Sequence, residues 1–223
     1  MMDTVQQRAD ALARQAQAGG PTLGRPAADP FRQWVKVYDD VLARPLEYRA
    51  EALALEFRSV PVGPITFHGI AGCHTARLPQ WIQTRYPDAK PGLSFFRRSP
   101  LGQEEPNFIH TDRDMGDWTG ILYLNPRPLP GDGTTFWSFN ETGAVSSVAS
   151  TVEEALAEGA LWRQRDLWFP RQSVAAKFNR LVLFHAPMFH SRAIDQNYGV
   201  GPEDARLIQI VFGTGSLEAP CQP

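Results

Sequence analysis

Between residues 92 and 213 the chain is a series of short stretches, LSFFRR, FIHTD, WTGILYLN, TTFWSF, LVLFH and RLIQIVFG, each rich in aromatic and branched aliphatic residues. Runs this short suit strands better than core helices, and Gly/Pro turns such as PRPLPGDG (126–133) separate several of them. Short strands of this kind bury their apolar faces only by forming two packed sheets or a closed barrel. The expected fold is therefore mainly β, a sandwich or barrel with helices packed outside.

The lead-in differs in texture. WVKVYDDVL (34–42) alternates apolar and polar positions and predicts a strand. Pro45 then opens a helix through LEYRAEALALEF (46–57), since proline suits a first helical turn. PVGPITFHG (61–69) reads as a loop. VEEALAEGALWRQRD (152–166) predicts one further helix, capped by Ser150 or Thr151, with Glu153 and Glu154 in its first turn. Residues 3–18 read as a polar helix that Gly19, Gly20, Pro21, Gly24 and Pro26 break. The expected organisation is an extension over 1–29, helical or mobile, one domain over 30–216 and a tail over 217–223.

Composition narrows the function classes. Lys and Arg number 22 against 24 Asp and Glu, so no basic face awaits nucleic acid, and no polybasic segment suggests a membrane surface. No apolar run approaches the ~20 residues of a membrane span, and the first residues lack the apolar centre of a secretory signal. The two cysteines, Cys73 and Cys221, give neither a disulfide framework nor a zinc knuckle. A cytoplasmic protein acting on a small molecule or peptide is the expectation, with no nucleic-acid and no membrane partner.

The chemistry centres on His110-Thr111-Asp112. On an extended strand residues i and i+2 share a face, so this triplet can aim an imidazole nitrogen and a carboxylate oxygen at one point. Two histidines and a carboxylate form the facial triad of non-haem iron sites, which needs one more histidine. His185 and His190 compete for that place. Arg206 opens the last strand, and its planar fork suits a distal carboxylate. Asp114 is a rival to Asp112, but Met115-Gly116 suggests that the strand has ended by then. His68, Cys73 and His74 crowd a Gly-rich segment that reads as a turn rather than a second metal site.

In order, His110-Thr111-Asp112, GILYLNP, GDGTTFW, NRLVLFHAPMFHS and ARLIQIVFG resemble the motifs of the iron(II)- and 2-oxoglutarate-dependent dioxygenases, especially the prolyl-4-hydroxylase-like branch. The likeness covers about residues 92–213. It implies a double-stranded β-helix, or jelly roll, with flanking helices. It further implies Fe(II) held by His110, Asp112 and His190, 2-oxoglutarate as cosubstrate with its far carboxylate on Arg206, and O2 as oxidant. The family's spacing favours His190 over His185. Tyr123 is the hydroxyl expected to assist the cosubstrate. Many relatives carry Ser or Thr two positions after the basic residue, and here that position is Ile208.

The implied reaction hydroxylates an unactivated C–H bond and releases succinate and CO2. Asp112 fills the corner that halogenating relatives leave open, which disfavours halide chemistry. Trp118, Trp137, Trp162 and Trp168 are expected in the core or an interface, with Trp118 and Trp137 also candidates for a substrate wall. Arg192 is read either as a partner for an acidic group of the substrate or as a surface salt bridge. The stretch between Phe139 and Lys177 is read either as a lid or as a homodimer contact. Two alternatives stand beside this reading: a non-catalytic jelly-roll binding module, and a cupin-like metal enzyme that does not use 2-oxoglutarate.

Overall fold

The computed structural model describes residues 30–62, 65–105, 108–147 and 159–218. The expected N-terminal extension and the first seven residues of the helix expected over 152–166 lie outside these residues; of the rest, 159–161 are helical and a 3-10 turn begins at Arg165. Among the described residues no helix is long and apolar enough to cross a membrane.

A short helix α1 (Pro30–Trp34) leads into β1 (Val35–Tyr38), and α2 (Pro45–Leu53) follows. A hairpin, β2 (Arg58–Val62) and β3 (Ile65–Gly72), precedes α3 (Arg77–Arg85). The β-rich part comprises β4 (Lys90–Ser99), β5 (Trp118–Tyr123), β6 (Gly133–Phe139), β7 (Trp168–Ala175), β8 (Arg180–His185), β9 (His190–Arg192) and β10 (Arg206–Thr214). They form a seven-stranded sheet in the order β1-β8-β5-β10-β4-β3-β2 and a three-stranded sheet in the order β7-β6-β9. Every pairing is antiparallel, as in a jelly roll.

Strand alternation divides the core. Leu122, Leu181, Leu183, Leu207 and Val211 point from the large sheet towards the helices, where they meet Tyr48, Ala52, Leu78 and Ile82. The alternate residues Tyr123, Val182, Phe184 and Ile208 point into the barrel and meet Phe136 and Val174 of the small sheet. The period of two thus puts one apolar face under the helices and the other inside the barrel. The centre is closed by apolar packing except where the cavity described below enters.

Three local expectations are corrected. The strand expected over 34–42 is limited to β1, although Val41 and Leu42 remain buried after it. The segment 61–69, read as a loop, contributes to the β2–β3 hairpin. Proline obscured it, yet β2 is an edge strand, where Pro61 needs no ladder donor on its open side. Helix α3 was not foreseen. Pro79 falls in its first turn, where proline is tolerated, and Leu78 and Ile82, four apart, bury one face.

Candidate metal centre and its cavity

The triad is assembled by backbone pairing between distant segments. His110 and His190 face each other in an antiparallel bridge, with His110 N–H donating to His190 C=O (3.0 Å) and the reverse bond at 2.9 Å. Asp112 N–H donates to Ala186 C=O at 2.9 Å, which fixes the next turn of the same segment. After Asp112 the chain curls into a 3-10 turn, Arg113–Met115. His110, Asp112 and His190 each offer a ligand atom, and those atoms all lie within 4.8 Å of one another. His110 Nε2 is 3.7 Å from Asp112 Oδ1, and His190 Nε2 is 3.3 Å from Asp112 Oδ2.

Both imidazoles are oriented from behind. His110 Nδ1 lies 3.1 Å from Phe108 C=O, and His190 Nδ1 lies 2.9 Å from Met188 C=O. A carbonyl only accepts, so each Nδ1 carries the proton and each Nε2 lone pair turns to the shared point. This is the usual outer support of a metal-binding histidine. The Thr119 hydroxyl donates to Asp112 Oδ2 at 2.8 Å and fixes the carboxylate.

Electrostatics suit a cation. A third of the His110 side chain opens to the cavity, but burial on its other sides pushes its pKa down to about 4, and the neighbouring His190 adds to this. Burial opposes ionisation of Asp112, yet the facing histidines and the Thr119 hydroxyl hold its pKa below the usual carboxylate range. Burial likewise opposes a charged His190, and Asp112 beside it outweighs that and raises its pKa. Two imidazoles and one carboxylate on one side of a cavity are a donor set that fits Fe(II) and leaves coordination positions open.

The cavity, of about 100 Å³, is lined by the triad and by Arg97, Glu105, Phe108, Thr119, Thr134, Arg192 and Arg206. Alternate β10 residues Arg206, Ile208, Ile210 and Phe212 all line it, as their parity predicts. Arg206 is nearly fully buried and is gripped by Asp132, with Nε 2.9 and 3.0 Å from the two carboxylate oxygens. Among the described residues its side-chain hydrogen bonds all leave from Nε, so the terminal fork is not consumed by the protein. Tyr198 Oη and Gly133 N–H also donate to Asp132, at 2.9 and 2.7 Å.

The other sequence candidates fall in various places. Tyr123 is buried behind Thr134, with the two hydroxyls 2.6 Å apart, and burial pushes its pKa up to about 12. Thr134, not Tyr123, reaches the cavity lining. Trp118 and Trp137 lie in the packed core, donating from Nε1 to Thr214 C=O and Ser191 Oγ respectively. An aromatic wall is instead provided by Phe108, whose ring stacks on Trp162 at 6.1 Å. His185 is exposed at the end of β8 against Trp34, outside the triad. Asp114 is 87% exposed in the 3-10 turn. His68 contacts Ser59 Oγ at 2.8 Å, and among the described residues only the triad groups three metal-ligating side chains.

Sequence reasoning missed Arg97, Glu105, Thr119, Asp132 and Thr134. Strand parity could have found Thr119, because 119, 121 and 123 share a face. Asp132 sits inside the quoted GDGTTFW motif. Glu105 had no signal, since it lies in a loop and its partners come from β4 and β9.

No protein-family model matches the chain, and no curated protein matches it. Solved structures do. The non-heme alpha ketoglutarate dependent epimerase SnoN from nogalamycin biosynthesis aligns with TM-score 0.55 and 17% identity, over 81% of this chain and 78% of that one. The carbocyclase SnoK from the same biosynthesis gives 0.51 and 13%, over 88% and 87%. An oxidoreductase of the 2OG-Fe(II) oxygenase family from Burkholderia pseudomallei gives 0.51 and 10%, over 86% and 91%. The chain therefore has the jelly-roll fold found in non-haem iron, 2-oxoglutarate-dependent enzymes. At these identities the likeness is one of fold, and function has to be argued from the site.

Proposed function

We propose that the protein is an Fe(II)- and 2-oxoglutarate-dependent dioxygenase that hydroxylates an unactivated C–H bond of a small molecule, amino acid or peptide. The observation that carries this reading is the oriented His110, Asp112 and His190 set sharing one cavity with the free fork of Arg206. Iron held by His110, Asp112 and His190 would supply the oxidising chemistry, with 2-oxoglutarate and O2 consumed and succinate and CO2 as coproducts. The chain's own residues bind and orient. His110 and His190 present neutral Nε2 atoms because Phe108 and Met188 carbonyls hold the Nδ1 protons. Arg206 offers paired donors to the far carboxylate of the cosubstrate, and Asp132 fixes its direction. Thr134, backed by Tyr123, is the hydroxyl in place of the one that Ile208 cannot supply. Ile208, Ile210, Phe212 and Phe108 give the cavity apolar walls that exclude water. The order of sequence motifs favours the prolyl-4-hydroxylase-like branch.

The test is anaerobic titration with Fe(II) and 2-oxoglutarate, followed by turnover. An absorption band near ~500 nm is expected on cosubstrate chelation. Its absence would favour a non-catalytic binding module. With O2 admitted, succinate is expected from wild type and not from His110→Ala or Asp112→Ala. Variants that turn over at the wild-type rate would sink the reading. Full activity of Arg206→Ala would instead support a metal enzyme that does not use 2-oxoglutarate. SnoN and SnoK are described as an epimerase and a carbocyclase, so product mass is the readout that distinguishes gain of one oxygen from loss of hydrogen or no net change.

A further inference from the structure

We infer that Arg97 and Arg192, joined by Glu105, form a second anion subsite in the metal cavity, which takes a carboxylate of the primary substrate. The inference rests on the triad as the reaction centre. Arg97 comes from β4, where it pairs directly with Ile208 of β10 and so projects from the same face. Arg192 comes from β9, two residues after His190. Both line the same cavity as the triad. Their nearest shared carboxylate is Glu105, whose Oε2 lies 3.2 Å from Arg97 Nη2 and 3.1 Å from Arg192 Nη1. Glu105 is itself only 2% exposed in its side chain, and it also accepts from Ser99 Oγ and Gln103 Nε2.

Among the described residues the close ion pairs do not balance: Asp132 is committed to Arg206, which leaves Glu105 as the one carboxylate paired with two guanidinium groups whose side chains are 16% and 13% exposed. Arg192 also donates to Asn197 Oδ1 and Asp195 C=O, which position it without neutralising it. The Arg97 side chain donates no hydrogen bond of good geometry among the described residues: its Nη2 meets Glu105 only as an ion pair, and Nε and Nη2, with Arg192 Nε, are buried without a hydrogen-bond partner. A buried cation short of one counter-charge is unfavourable unless an anion completes it. Guanidinium forks select planar carboxylates over amides, which carry no charge and offer one acceptor. The subsite would thus hold the acidic end of a substrate and leave a neighbouring C–H facing the triad.

The experiment uses the full chain, loaded anaerobically with Fe(II). First, the 2-oxoglutarate dissociation constant is measured from the absorption band for wild type, Arg97→Gln, Arg192→Gln and Glu105→Gln. Then, with 2-oxoglutarate saturating, binding of hexanoate and benzoate is compared with hexanamide and benzamide by ligand-observed NMR. Wild type is expected to bind the carboxylates and not the amides. Each arginine variant should weaken that binding at least roughly tenfold, the loss of one charge-assisted contact, while the 2-oxoglutarate constant stays within about twofold. Glu105→Gln should tighten carboxylate binding, an opposite sign that a merely structural cluster would not give. The inference is overturned if the amides bind as well as the carboxylates, or if the arginine variants bind them like wild type. It is also overturned if Arg97→Gln weakens 2-oxoglutarate tenfold, for the cluster would then serve the cosubstrate. A wild type with no absorption band but with carboxylate binding intact would refute the proposed reaction and not the subsite.

Discussion

At the scale of single residues, function rests on partners that hold an otherwise ordinary side chain in one state. His110 and His190 can offer Nε2 to a metal because backbone carbonyls fix their Nδ1 protons. Arg206 is available because Asp132 takes its Nε and no more. This buried pair makes a separable prediction. Arg206→Met leaves Asp132 buried without its counter-charge and is expected to cost about 3–5 kcal/mol in denaturant unfolding. Adding Asp132→Asn removes the orphaned charge and should restore much of that stability. Neither variant should bind 2-oxoglutarate within roughly tenfold of wild type, as read from the absorption band. If the double variant recovers cosubstrate binding, Arg206 is not its anchor.

Among the elements, β10 and β5 decide how the sheet can close. Gly213 on β10 pairs with Trp118 on β5, and a Cβ at Gly213 would lie 2.1 Å from Trp118 Cζ2. The indole is fully buried and donates to Thr214 C=O, so it has little room to move. Gly213→Ala should therefore cost about 2–3 kcal/mol by overpacking, read in denaturant unfolding. Iron affinity should change little, because the substitution lies on the helix-facing side. Asn179, with φ 62°, makes a second joint. Its side chain accepts from Leu42 N–H and donates to Leu42 C=O, both at 2.9 Å, and so extends the β1–β8 pairing. Asn179→Ala should cost about 2–3 kcal/mol in the same assay, for two buried hydrogen bonds and a left-handed backbone that alanine tolerates poorly.

For the whole molecule, the proposed site would link folding and metal binding through the same histidines. The folded pKa of His110, about 4, lies below its unfolded value of 6.5. Between these values the unfolded chain binds more protons, so this residue's contribution to stability falls as pH drops. His190, whose pKa is raised, contributes in the opposite direction. Metal-free wild type should accordingly lose stability relative to His110→Gln between pH 7 and pH 5, in denaturant unfolding at each pH. Metal should reverse this near neutrality. At a hundredfold excess over its dissociation constant it adds about 2.7 kcal/mol. That gain should vanish towards pH 5 as protons compete for the two imidazoles.

The sequence by itself determined the strand series, the inward parity of Arg206, Ile208, Ile210 and Phe212, and the residues able to ligate a metal. These are local properties: period two, turn chemistry and side-chain type. The β2–β3 hairpin was hidden because Pro61 is tolerated only on an edge, and whether a strand is an edge is decided by sheet order. Family spacing already favoured His190 over His185, and the tertiary structure adds the bridge that sets His190 opposite His110. It also moved the cavity hydroxyl from Tyr123 to Thr134 and set Arg192, read either as a substrate partner or as a surface salt bridge, in a cavity cluster with Arg97 and Glu105. Those outcomes depend on register between strands far apart in the chain, and on how a few buried charges share too few partners. Neither quantity is written in any one stretch of residues.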